Sequence, residues 1–158
     1  ETGTLMKNNI RLKAIGDTDR LAEDVRSRLM ETINLTAGAT GLNLIVAMSY
    51  SSRWEITEAA KKLASDIVEG NTVPDNITDH DFEKYLTTRG IPDPDLMIRT
   101  SGERRISTFL LWQIAYAELY FTEKLWPDFG KEDFYKAIID FQKRERRFGK
   151  TSEQLLEK

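Results

Sequence analysis

The feature that most limits how this chain can fold is an apolar run. Between Leu42 and Tyr50, the residues Leu44, Ile45, Val46, Ala47 and Met48 follow one another without a polar interruption. A half-exposed strand alternates between apolar and polar residues. An unbroken run of strand length is expected of a strand covered on both faces in a parallel sheet. Parallel strands need long crossovers, usually helical, so helices should flank the run. Upstream, residues 11–15 read as a strand and Gly16, Asp17 and Thr18 as a turn that caps a helix. Leu21, Val25, Leu29 and Ile33 form that helix's buried stripe. Downstream, Ser52 and Glu55 have capping-box spacing, and Ile56, Ala60, Leu63 and Ile67 mark the buried side of a helix ending near Gly70.

The alternation continues. Thr78 and Asp81 cap a short helix whose apolar side is Phe82, Tyr85 and Leu86, and Ile91-Pro92-Asp93-Pro94 forces an extended turn. Residues 96–98 read as a third strand, 109–116 as a short buried helix and 118–121 as a fourth strand. Residues 131–147 read as an amphipathic helix using Phe134, Ile138 and Phe141. The expected fold is α/β, a largely parallel sheet of about four strands sandwiched by helices. With 158 residues, 40% of them hydrophobic, the chain is expected to form a single domain over residues 1–158.

Composition narrows the chemistry. The 23 basic and 26 acidic residues nearly cancel, so no nucleic-acid partner is expected. There is no cysteine and one histidine, His80, which excludes thiolate and multi-histidine metal centres. A metal must then be held by oxygens, and oxygen ligands together with phosphate favour magnesium. No apolar run approaches the roughly 18 residues of a membrane span and the N-terminus lacks a signal-peptide core, so a cytoplasmic location is expected.

The polar loop after the third strand concentrates function. Within nine residues it places Arg99, Arg104 and Arg105 with Thr100, Ser101 and Ser107, beside Gly102. Arginine makes two-point hydrogen bonds to phosphate oxygens, and small hydroxyl residues and glycine let the backbone approach. The same residues also suit a solvated loop whose arginines pair with Asp95 and Glu103. Composition alone leaves both readings open.

The order of residues adds more. The stretch from Asp95 through Arg99-Thr-Ser-Gly-Glu-Arg-Arg-Ile-Ser-Thr to Glu118-Leu-Tyr-Phe121 resembles the C-terminal signature of cis-prenyltransferases of the undecaprenyl diphosphate synthase type. The likeness extends to Leu125-Trp-Pro-Asp-Phe129, Arg144-Glu-Arg-Arg-Phe-Gly149, Arg11-Leu-Lys-Ala-Ile-Gly-Asp17, Leu35-Thr-Ala-Gly38 and Tyr50-Ser-Ser-Arg-Trp-Glu55. The resemblance implies condensation of isopentenyl diphosphate with an allylic diphosphate, usually farnesyl diphosphate. The implied product is a long cis-polyprenyl diphosphate, a lipid-carrier precursor for the cell wall. It implies Mg2+ as cofactor, a homodimer, and peripheral membrane contact when product leaves.

By position, it implies that Arg99, Arg105, Ile106 and Ser107 bind the diphosphate of isopentenyl diphosphate, with Glu103 and Arg104 on the rim. Glu118 is implied as a magnesium ligand near the same sheet end, and Arg147 and Gly149 as a tail serving the partner's site. Leu42 to Met48 and the neighbouring helices are candidates to line a tunnel for the growing chain.

The family's opening Met-Asp-Gly-Asn-Gly-Arg-Trp loop, with its catalytic aspartate, and its Ser-x-Glu-Asn-Trp-x-Arg-Pro segment do not occur in these residues. The chain is therefore expected to be the C-terminal portion of a longer catalytic domain, inactive alone. Thr108 and Ser51-Ser52 also depart from the usual Asn and Gly-Gly. Two other readings stay open: a non-catalytic subunit donating its tail to a catalytic partner, and an unrelated phosphate-binding α/β module.

Overall fold

The computed structural model describes residues 1–145, which fall into two compact units divided after Ile91. The first contains α1 (Thr2–Lys7), β1 (Arg11–Gly16), a 3-10 turn at Thr18–Arg20, α2 (Glu23–Thr36), β2 (Asn43–Met48), α3 (Ser52–Val68) and α4 (Asp79–Glu83). The second contains β3 (Leu96–Arg99), β4 (Glu118–Phe121) and α5 (Lys131–Gln142).

In the first unit β1 and β2 pair in parallel, from Arg11 opposite Asn43 to Gly16 opposite Met48, and α2 is the crossover. One side chain fixes α2 to β1. Thr36 is fully buried, donates its hydroxyl to the Thr32 carbonyl (2.9 Å) and accepts from the Leu12 amide (3.1 Å). Leu12, Ile15, Ala59 and Leu86 form the buried apolar centre. Gly16 ends β1 at φ +98, where an added Cβ would stand 2.2 Å from the Met48 carbonyl oxygen. The crossing there requires glycine.

Several local expectations shift. Thr18 does not cap α2. It opens the 3-10 turn, which leads into extended backbone at Leu21, and α2 then starts after Ala22 without a side-chain cap. Val25 is exposed, leaving Leu29 and Ile33 half-buried. The strand predicted to be covered on both faces is covered only in part by the described residues: Ile45, Val46 and Met48 are half-buried. Leu42 is 64% exposed and Leu44 40%. Among the described residues β2 also has a neighbour on one edge only.

In α3 the capping box is not formed, because Ser51 takes the cap position and Ser52 is already helical. The buried face runs through Ser52, Glu55 and Ala59, while Ala60 is exposed. The register is set by Glu55, which is turned inward. The box at Thr78 and Asp81 is formed in both directions, and Lys84, with Thr78, holds the Asp81 carboxyl well below its usual range.

In the second unit β3 and β4 are parallel, from Leu96 opposite Glu118 to Arg99 opposite Phe121. Their crossover, residues 100–117, consists of turns and contains no helix, contrary to the expectation for 109–116. Leu110 sits at φ +50, which a right-handed helix cannot accommodate. α5 packs on β4. Asp133 faces inward, accepts from Lys124 Nζ (2.8 Å) and the Gly130 amide (3.2 Å), and is held below the usual carboxylate range chiefly by Lys124. That orientation buries Ala137 and turns Phe134 outward, so Ile138 and Phe141, both half-buried, carry the apolar contact. No helix among the described residues is long and apolar enough to cross a membrane.

Candidate functional site

β3 delivers Arg99 at its carboxyl end, the end at which α/β sheets take ligands. The loop that follows is tied to the continuation of β4. Thr122 donates its amide to the Arg99 carbonyl (2.9 Å), Gly102 to Thr122 (2.9 Å) and Ser101 to Lys124 (2.7 Å). Ser101 (φ 68), Gly102 (φ 70) and Ser107 (φ 53) are all left-handed. For the two serines this costs on the order of 1 kcal/mol each, and such strain collects at ligand sites.

The fold-back brings Arg99 Nη1 within 3.4 Å of Ser107 Oγ, to which it donates. A cleft of about 370 Å³ lies here, lined by Arg99, Thr100, Ser101, Glu103, Ile106 and Phe109 with Met97 and Ile98 of β3. Arg99, Ile106 and Glu103 thus meet in one cleft, with Ser107 joined through Arg99. Arg105 does not line it. Its guanidinium pairs with Glu103 at 2.7 Å, and Arg104 faces Glu123 at 3.9 Å, both largely in water. The solvated-pair reading therefore describes Arg105, which takes the expected Glu103, and Arg104, whose partner is Glu123 instead.

Glu118 lies elsewhere. It opens β4 opposite Leu96, three residues of strand, roughly 10 Å, from the Arg99 end. The expectation that it shares a sheet end with Arg99 is corrected by the strand register. Its carboxylate, mostly shielded, accepts from Arg144 Nη1 (2.9 Å), and Arg144 also binds Asp140 (2.6 Å). Those two carboxylates raise the Arg144 pKa, Glu118 first. Arg147 and Gly149 lie outside the described residues. Among the described residues no three His, Asp or Glu side chains gather to hold a metal. A single shielded carboxylate still suits magnesium, which binds through one or two carboxylates plus phosphate oxygens. Arg144 is the cation that such an ion would have to replace.

Sequence reasoning missed Phe109 as a wall of the cleft, having assigned it to a helix. It also missed Glu55, a buried carboxylate that accepts from Tyr50 OH (2.6 Å) and from the amide (2.9 Å) and hydroxyl of Thr87. Its spacing from Ser52 reads as a capping box, whereas Ser52, Glu55 and Ala59 form the buried side of α3.

Parallel strand pairs with helices, and an arginine and hydroxyl loop at a strand's carboxyl end, define an α/β protein suited to binding phosphate esters. The chain belongs to the prenyltransferase family described as undecaprenyl diphosphate synthase, whose model matches residues 1–149. It is 56% identical over 151 residues to an isoprenyl transferase of Porphyromonas gingivalis, covering 96% of this chain and 59% of that protein. It is 47% identical, over 96% of this chain and 60% of the other, to the ditrans,polycis-undecaprenyl-diphosphate synthase of Escherichia coli K12, whose name specifies (2E,6E)-farnesyl diphosphate. The crystal structure of lavandulyl diphosphate synthase from Lavandula x intermedia with dimethylallyl diphosphate superposes with a TM-score of 0.91 at 38% identity. That match covers 94% of this chain and 64% of the other. The chain spans about three-fifths of the length of the curated relatives.

Proposed function

We propose that this chain carries the isopentenyl diphosphate site of a cytoplasmic cis-prenyltransferase that extends farnesyl diphosphate into a long cis-polyprenyl diphosphate. The observation that carries this reading is the meeting of Arg99 and Ser107, 3.4 Å apart, beside a cleft at the carboxyl end of β3. The names of the relatives agree with it. Both units, on this proposal, belong to one catalytic domain.

Arg99 and Ser107 are the groups that grip the diphosphate. Arg105 exchanges Glu103 for the ligand, which is inexpensive because that pair is largely exposed. Ile106 and Phe109 border the apolar part of the substrate. Glu103 and Arg104 form the rim. Positioning the alkene against the allylic carbon is the loop's contribution to rate.

When bound, Mg2+ supplies neutralising charge to the diphosphate oxygens, and Glu118 is the residue proposed to hold it. Because Glu118 stands at the far end of β4 with Arg144, three residues before Arg147, we assign it to the same service as the tail. In a homodimer, Glu118, Arg147 and Gly149 would complete the partner's diphosphate site.

Calorimetric titration with isopentenyl diphosphate and Mg2+ tests the loop. Each charge-assisted hydrogen bond contributes about 1.5–3 kcal/mol net, so Arg99→Ala should weaken binding about tenfold to a hundredfold. Ser107→Ala should cost less. Unchanged affinity in both Arg99→Ala and Arg105→Ala would overturn the assignment.

A further inference from the structure

The first unit holds a second cleft, of about 430 Å³, separate from the residues around Arg99. It lies along β1 up to Gly16 and is walled by α2 and by the segment after α4. Its charged lining residues are Lys13 and Arg89, and no carboxylate lines it. The lining of the cleft beside Arg99, by contrast, includes the carboxylate of Glu103.

Neither Lys13 nor Arg89 has an ion pair or side-chain hydrogen bond among the described residues. Lys13 is half-buried in the middle of a strand, where loss of water is costly without a counter-charge. Two residues earlier on the same strand face, Arg11 Nε is buried without a hydrogen-bond partner. Positive charge and donors are thus in surplus along this face. Behind Thr87, the Glu55 carboxylate already takes hydrogen bonds from Tyr50 and Thr87. The other walls are mixed: Thr18 offers a hydroxyl, while Met30 and Ile33 present apolar surface.

We propose that this cleft binds a small phosphate ester with a short apolar tail, the phosphate between Lys13 and Arg89 and the tail against Met30 and Ile33. Two cations meet the charge of a phosphate, and the volume suits a ligand of a few carbons rather than a long chain. The site is independent of the Arg99 loop, so the two assignments stand or fall separately.

The test is NMR titration of the protein with n-pentyl phosphate and, in parallel, inorganic phosphate, following the amides of Gly16, Thr18 and Ile91. Pentyl phosphate is expected to bind saturably. Lys13→Gln and Arg89→Gln should each weaken it about tenfold or more. Arg89 is exposed, so its variant reports on binding even if Lys13→Gln disturbs β1. Met30→Ser should weaken pentyl phosphate and leave inorganic phosphate unchanged, and Arg99→Ala with Arg105→Ala should leave these shifts intact. The proposal is overturned if binding ignores both Lys13→Gln and Arg89→Gln, if it is lost in the Arg99 and Arg105 double variant, or if inorganic phosphate binds as tightly as pentyl phosphate.

Discussion

Replacing Glu55 by alanine should be among the most damaging single changes in the first unit. The side chain is 2% exposed and its carboxylate accepts from Tyr50 OH at 2.6 Å, from the Thr87 amide at 2.9 Å and from the Thr87 hydroxyl. Hydrogen bonds to a charged group contribute about 1.5–3 kcal/mol each but are not additive in a shared network. Alanine also strands the half-buried donors of Thr87 and leaves a cavity, so a loss of about 4 kcal/mol is expected. Glutamine separates the terms. Its carbonyl can still accept from Thr87, and its amide can donate to the Tyr50 oxygen, so Glu55→Gln should cost only about 1–2 kcal/mol. Urea unfolding followed by circular dichroism gives both numbers. With a slope near 2 kcal/mol per molar, alanine should lower the midpoint by about 2 M with the slope unchanged. A loss below about 1.5 kcal/mol for alanine, or equal losses for alanine and glutamine, would refute the idea that directed hydrogen bonds hold α3 to the Thr87 segment.

Gly16→Ala should destabilise by about 2–4 kcal/mol in the same assay, because the new methyl meets the Met48 carbonyl and φ +98 is unfavourable for alanine. Thr36→Val keeps the shape but removes the acceptor for the buried Leu12 amide, and should cost about 1–3 kcal/mol with faster hydrogen exchange at Leu12. The folded-state pKa of Asp133 is depressed, chiefly by Lys124, so its contribution to stability is present above the ordinary carboxylate value, about 3.9, and is lost as pH falls below it. Measured between about pH 6 and pH 2.5, Asp133→Asn should therefore be less sensitive to acid than the parent. Arg144→Gln should leave isopentenyl diphosphate affinity at the Arg99 loop nearly unchanged without metal while raising apparent Mg2+ affinity. No change in the Mg2+ titration would count against Glu118 as a ligand.

The strands and the capping box at Thr78 were legible because each rests on local chemistry: apolar runs, spacing, and Pro92 and Pro94 before β3. Where cover is incomplete or backbone is unusual, the pattern misled. The run through Leu44 reads as doubly covered, yet the described residues cover it only in part. Phe109 to Tyr116 has helical spacing, but one left-handed residue, Leu110, converts it to turns. The resemblance put Arg99 and Ser107 on one loop, and the fold brings their side chains to 3.4 Å. The sheet end of Glu118 was not legible, because a sequence gives the residues of a strand without its register. The parallel pairing supplies it. Lys13 and Arg89 stand 76 positions apart in the numbering, and only the fold brings both to one cleft.

The crossover between β3 and β4 carries a further consequence. Most parallel pairs are linked by a helix whose hydrogen bonds close within itself. Residues 100–117 have no such internal ladder, and the segment that would grip a ligand is also the covalent strap that keeps the two strands side by side. Occupancy and cohesion are then one equilibrium. A ligand present at a hundred times its dissociation constant would add about 2.7 kcal/mol to the stability of that strand pair. A substitution that loosens the strap would weaken affinity even where it touches no ligand atom, and melting temperature would serve as a readout of binding.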